Sequence, residues 1–357
     1  MTNAATLTID LGAIARNWRA LDGLSGAAET AAAVKADAYG LGLAPVAGAL
    51  WRAGCRSFFV ATLDEGIALR AALPEAAIYI LNGVWGAAAA GARAHRLIPC
   101  LNAPHHVAAW RAAGGGPCAL QLDSGMARLG VQPCDLGQLS SDERETLADC
   151  VLILSHLACG DTPGHPQNAA QRATFEDSLL ALRPILPNAR ASLAATGGTL
   201  LGAPFHLDMV RCGIGLYGGL PFAQAEPVVT LIAPIIQIRT VPEGASVGYG
   251  ATWAATRPSR IATIPVGYAD GFHRTLSGNT DVRIDGRPAP VVGRVSMDLL
   301  TIDITDHPEV TETTPVEIIG GDRSIDLLAA DAETIGYEML TALETRYERR
   351  YKDADFN

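Results

Sequence analysis

Lysine is almost missing from this chain. Of its 27 basic residues only Lys35 and Lys352 are lysines, and the rest are arginines. Arginine therefore serves wherever a surface charge is enough. A lysine kept inside the apolar run AAAVKADAYG calls for a chemical reason. Arginine cannot supply a neutral primary amine that attacks a carbonyl and forms a Schiff base. The alternative is a lysine whose stem snorkels at a strand end. Lys352, in a polar tail, reads as a solvated charge.

Other absences exclude whole classes. No uncharged apolar run reaches the roughly 18 residues of a membrane-spanning helix. The start, MTNAATLTIDLGAI, lacks a basic region and is broken by Asp10, so it does not read as a secretory signal. No long basic run occurs, and the net charge of −10 argues against nucleic acid or an anionic membrane as partner. The seven cysteines show no CxxC spacing, which predicts reduced thiols, a cytoplasmic protein and no metal site. Cys212, beside Arg211, reads as packing. No G-x-G-x-x-G follows the first strand, which weighs against a Rossmann domain.

What is present is a chain of 357 residues, long enough for two domains, with 49% hydrophobic residues to build a core. Short apolar runs lie at 31–36, 57–62, 77–81, 97–101, 118–123, 151–157, 189–195 and 209–218. Between them fall helical patterns such as LAPVAGALWRAG, DEGIALRAALP and QNAAQRATFEDSLLALRP. Eight strands alternating with helices predict an α/β fold, a (β/α)8 TIM-type barrel over residues 1–224, with a doubly wound open sheet as the alternative. From 225 to 357 the segments VVTLIAPIIQIRTV, RIATIPVGYA, TDVRIDGRPAPVV and LLTIDIT are β-branched and separated by turns. They predict a mostly antiparallel β domain. Helical spacing returns only in AETIGYEMLTALETRYERRY.

In a barrel, polar residues at the C-terminal strand ends build the site. These are Lys35, Tyr39, Arg128, His156, Thr196 and Arg211, followed by the turn GIGLYGG at 213–219. His156 in an apolar strand is by itself an ordinary core histidine, and Arg211 an ordinary ion-pair partner. Together, an amine, two arginines, a histidine and a glycine-rich turn able to hold a phosphate suggest pyridoxal phosphate.

The segments AVKADAYGLG, LDSGMARLG, SHLACGD, VRCGIGLYG, VGYGATW, IPVGYADGF, VVGRVSMD and IGYEMLTALETRYERRY resemble, in order and spacing, the motif series of bacterial alanine racemases. The resemblance covers essentially the whole chain. It implies a fold type III enzyme that interconverts L- and D-alanine, for peptidoglycan or in catabolism. It also implies a homodimer in which each active site draws on both subunits. By the resemblance Lys35 would carry pyridoxal phosphate and act as one base. Tyr39, Tyr337, Thr196 and the backbone of Gly213 and Ile214 would hold the phosphate. Arg128 would meet the phenolic oxygen and the substrate carboxylate, and Arg211, backed by His156, the pyridine nitrogen. The partner would supply Tyr249 as second base, with Met297 and Asp298 lining the substrate pocket. Tyr268, Arg294 and Asp161 would stand at the entrance.

Racemisation explains the set. A proton leaves one face of Cα and another arrives on the opposite face, so two bases on opposite sides are needed. A tyrosine base must be made acidic, because a phenol normally titrates near about 10. Guanidinium opposite the ring nitrogen stays charged and gives the ring no proton, so the ring remains the weaker electron sink.

Three positions depart from the family pattern. Gln121 stands where many members carry a carbamylated lysine, Ala195-Thr196 replaces an Asn-Ser pair, and Ser296 replaces a cysteine. The competing readings are a racemase acting on serine or several amino acids, and a fold type III decarboxylase of a basic amino acid. The second normally needs a cysteine near the C-terminal end, and none follows Cys212. A barrel that only carries the cofactor leaves the β domain unexplained.

Overall fold

The computed structural model describes residues 4–132, 135, 137 and 140–352. The short apolar runs become the eight parallel strands of one sheet. These are β2 (Glu29–Ala33), β3 (Ser57–Val60), β4 (Ala77–Ile80), β5 (Ile98–Leu101), β6 (Cys118–Gln121), β7 (Cys150–Leu154), β8 (Arg190–Ser192) and β9 (Met209–Cys212), in the order β8-β7-β6-β5-β4-β3-β2-β9. A parallel bridge between Ala195 and Arg211 joins the two ends and closes the barrel. Phe58, Val60, Ile78 and Ile80 are fully buried, as expected of strands covered on both faces.

Outer helices begin where the sequence offers caps. Asp10 accepts from the Ala13 N–H at 2.8 Å to start the helix Leu11–Ser25. Thr62 and Glu65 form a capping box for Leu63–Ala72. His165 and Pro166 open Pro166–Leu182.

The second domain is mostly antiparallel β. Gln237–Val241, Ser259–Ile264 and Leu300–Asp303 form one sheet. A six-stranded sheet joins Arg287–Pro290, Asp281–Ile284, Val316–Ile319 and Val229–Ala233 to the first strand, β1 (Thr6–Asp10), and to Glu348–Lys352. β1 thus belongs to the second sheet, antiparallel to Val229–Ala233 and parallel to Glu348–Lys352.

Three local expectations are corrected. The C-terminal segment is helical only at Gly336–Thr341 and ends as a strand, because Glu348–Lys352 finds the open edge of β1. Lys352 is bonded to Asp10 at 2.8 Å rather than simply solvated. β7 stops at Leu154, so His156 stands in the loop above it, where the ladder to β8 has ended.

Among the described residues, no helix is long and apolar enough to cross a membrane, and no group of His, Cys, Asp and Glu is placed to hold a metal. The six described cysteines are free, and all but Cys159 are buried.

Candidate active site

The carboxyl ends of the barrel strands surround a cavity of about 680 Å³. It is lined by Lys35, Tyr39, Arg128, His156, Asp161, Thr196, Arg211, Gly213, Ile214 and Tyr337, ten residues singled out from the sequence, nine from the barrel strands and the loops that follow them and Tyr337 from the helix Gly336–Thr341 of the second domain. Barrel closure brings the nine together.

Lys35 starts an unusual turn after β2. The next four residues, Ala36 to Tyr39, all have φ between 53° and 57°, and none is glycine. Left-handed backbone disfavours such residues by about 1–2 kcal/mol each, so neighbours must hold the turn. Glu65 does so from one side, accepting from the N–H groups of Ala36 and Ala61, each at 2.7 Å. The C-terminal segment does so from the other. Arg349 donates to the Gly40 carbonyl at 2.7 Å and Tyr351 to the Leu41 carbonyl at 3.1 Å. A Cβ on Gly40 would sit 2.6 Å from the Leu340 carbonyl oxygen. The Lys35 amine is lowered from its usual range by burial and then by the Arg128 charge, against an opposing pull from Glu65.

Tyr39 is buried and stacked on Tyr217 at 4.4 Å, with Tyr337 at 6.0 Å. Tyr217 is fixed in turn by its bond to the Ala33 carbonyl at 2.9 Å. A Cβ on Gly213 would overlap the Tyr39 hydroxyl, so only glycine permits this approach. Thr196 accepts from the Gly213 N–H at 3.0 Å. Tyr39 and Tyr337 are both raised by burial, which keeps their phenols protonated as donors.

Arg211 is buried and held on several sides. It donates to Ser192 Oγ and to the Ser155 carbonyl, each at 2.6 Å, and lies 3.3 Å from His156 Nδ1. Burial lowers it to about 10, so it stays charged at neutral pH. Burial, then the charges of Arg211, Arg128 and Lys35, lowers His156 to about 3. Its neutral ring is therefore free to accept.

No hydrogen bond or ion pair holds the Arg128 side chain among the described residues. Its loop is set by backbone: Asp123 Oδ1 accepts from the N–H groups of Gly125, Met126 and Ala127. Gln121 donates to the Leu129 carbonyl at 3.4 Å, so its amide acts on the backbone beside Arg128. Asp161, also in the cavity lining, is raised by burial and lies against Gly197.

Tyr249, Tyr268, Arg294, Met297 and Asp298 are not part of this cavity. They form a separate exposed patch on the second domain. The Tyr268 N–H donates to the Ser296 carbonyl and that of Ala269 to Met297, while Gly248 and Gly250 pack against Arg294. Tyr249 is 70% exposed. Asp298 is paired with Arg346 at 2.9 Å.

Sequence reasoning missed Glu65, Tyr217, Ser192 and Gln171. Two carried a signal: Glu65 ends the capping box T-L-D-E, and Tyr217 lies inside GIGLYGG. Ser192 and Gln171 act through contacts that no local pattern shows.

Residues 9–221 match the family model described as alanine racemase, N-terminal domain, and residues 228–351 that of alanine racemase, C-terminal domain. An alanine racemase of Jannaschia sp. (strain CCS1) is 51% identical over 346 residues, covering 96% of this chain and 98% of the relative. The crystal structure of alanine racemase from Bartonella henselae with covalently bound pyridoxal phosphate is 36% identical, with a TM-score of 0.89 over 98% of this chain and 100% of the other. That of biosynthetic alanine racemase from Pseudomonas aeruginosa is 36% identical, with a TM-score of 0.90 over 99% and 100%.

Proposed function

The chain belongs to the alanine racemase family, and from that premise we propose that it interconverts L- and D-alanine with pyridoxal phosphate. One observation carries the reading: a buried, charged arginine with no carboxylate partner among the described residues shares a cavity with an amine lowered from its usual range and a glycine–tyrosine wall. That wall fits a phosphate, since the phenols of Tyr39 and Tyr337 stay protonated as donors and Gly213 puts no side chain in front of Tyr39.

Lys35 would hold the cofactor through its amine. Tyr39, Tyr337, Thr196, Gly213 and Ile214 would hold the phosphate, Arg211 and His156 the ring nitrogen, and Arg128 the phenolic oxygen and substrate carboxylate. When bound, the cofactor supplies an electron-withdrawing ring that makes the α-proton of an amino acid removable. Lys35 takes or returns that proton on one face. Its lowered affinity for protons raises the neutral fraction a base requires. Tyr249 of a second subunit serves the other face, with Met297 and Asp298 beside it and Tyr268, Arg294 and Asp161 at the entrance. The separation of this patch from the cavity in one chain, together with its exposure, supports a homodimer with shared sites. Arg211 keeps its own proton and leaves the ring nitrogen an acceptor. Buried free thiols favour the cytoplasm.

The test is a visible spectrum of the purified protein and a chiral assay with L-alanine, with L-serine and L-lysine as competitors. A cofactor band with D-alanine formation is expected. A band without racemisation, or carbon dioxide released from lysine, would overturn the reading.

Arg211→Glu tests the ring-nitrogen contact. The new carboxyl can share a proton with the ring nitrogen, and the Ser155 carbonyl loses its donor. Racemisation should slow at least about tenfold, an increase of about 1.4 kcal/mol in the barrier. A new long-wavelength band and pyruvate should appear. Unchanged spectrum and rate would make Arg211 purely structural.

A further inference from the structure

The loops bearing Arg128 and His156 leave different strands, β6 and β7, yet one outer helix grips both. Gln171 is fully buried on Pro166–Leu182. Its Oε1 accepts from the Ala158 N–H at 2.8 Å, and its Nε2 donates to the His156 carbonyl at 2.9 Å. The two backbone groups dictate the amide's orientation, because one only donates and the other only accepts. The same Nε2 lies 3.4 Å from Ser124 Oγ, in the Arg128 loop.

The network continues inward. The Ser124 and Ser155 hydroxyls are 2.8 Å apart, and Ser155 Oγ donates to the Leu122 carbonyl at 2.8 Å. The Ser155 carbonyl receives Arg211. One turn earlier on the same face of the helix, Gln167 donates to the Gly125 carbonyl at 2.9 Å. The Arg128 side chain has no fixing partner of its own among the described residues, so its place depends on this backbone.

We propose that Gln171 is a positioning residue, tying the Arg128 loop to the His156 loop and, through Ser155, to Arg211. Groups that reach the cofactor and substrate from two strands thereby keep one mutual geometry. The proposal rests on the reading of the cavity as the cofactor site. A glutamine that only satisfied buried backbone groups would matter to stability alone.

The test compares Gln171→Leu and Gln171→Glu with Leu179→Ala, which removes a buried apolar side chain from the same helix and no hydrogen bond. On each holoenzyme, the visible circular dichroism of the cofactor, the thermal midpoint, kcat and KM are measured. Gln171→Leu should change the dichroism and lower kcat on the order of 10- to 100-fold, the scale of small misplacements in an active site. KM should move less. Leu179→Ala should lower the midpoint and leave the dichroism and kcat unchanged.

The carboxyl introduced by Gln171→Glu, when neutral, can still donate to the His156 carbonyl, and when ionised it cannot. Its dichroism should approach wild type at low pH and depart as pH rises. If Gln171→Leu fails to fold, this titration decides. Wild-type dichroism and kcat in both glutamine variants, or an equal loss in Leu179→Ala, would overturn the proposal. Wild-type protein without a cofactor band would overturn the functional reading instead.

Discussion

Lys35→Ala is expected to lose the visible absorption of the bound cofactor and to slow racemisation by on the order of 10⁴-fold or more, the scale of removing a covalent catalytic group. No other amine can take its place. Lys352 is the only other lysine, and it is bonded to Asp10 in the second sheet. Lys35→Arg should do no better, because guanidinium stays charged and forms no Schiff base here. Lys35 lines the open cavity rather than the packed core: its amine is partly desolvated there while the residue as a whole stays accessible, so the fold should tolerate both changes with little loss of thermal stability. Wild-type racemisation by Lys35→Arg would end the cofactor argument.

Tyr249→Phe should block racemisation in both directions, since each direction uses both faces of Cα. Removing one of two proton-transfer groups should lower kcat by roughly 10²–10⁴-fold. Exchange of the α-proton in deuterated water should distinguish the faces. It should survive better with D-alanine, where Lys35 acts, than with L-alanine. The exposure of Tyr249 away from its own cavity gives a second handle. Co-expressing Lys35→Ala with Tyr249→Phe yields mixed dimers in which one site carries both defects and the other neither. Activity should partly return. Equal loss of exchange for both enantiomers, with no recovery on mixing, would refute a site shared between subunits.

The barrel was legible because its strands are short apolar runs at regular intervals, and each run sits within a few residues of its strand. Lys35 stood out by scarcity, and Gly213 by its glycine-rich neighbourhood. The end of β7 was not legible: VLILSHL stays apolar past Leu154, and only the missing ladder partner marks where pairing stops. Nor was the fate of ERRYK, whose charges suit an exposed helix equally well until the edge of β1 is in place. Ser192 and Gln171 escaped for a related reason. Each is one polar residue in a segment whose pattern reports only burial, and its meaning lies in the neighbouring strand or loop that it meets once the barrel is built.

The left-handed turn that presents Lys35 is completed from outside the barrel. Arg349 and Tyr351 bind the carbonyls of Gly40 and Leu41, and Glu348–Lys352 pairs with β1. Closing the barrel therefore does not by itself set the reactive amine. Without Arg349 and Tyr351, Ala36–Tyr39 would keep Glu65, the Asp37 bond to the Leu43 N–H and the Tyr217 stack against its preference for ordinary backbone, but would lose the brace on Gly40 and Leu41. Competence to hold the cofactor is then a property of both domains together, and a chain cut before Glu348 should keep its barrel strands while the turn that aims its lysine loosens.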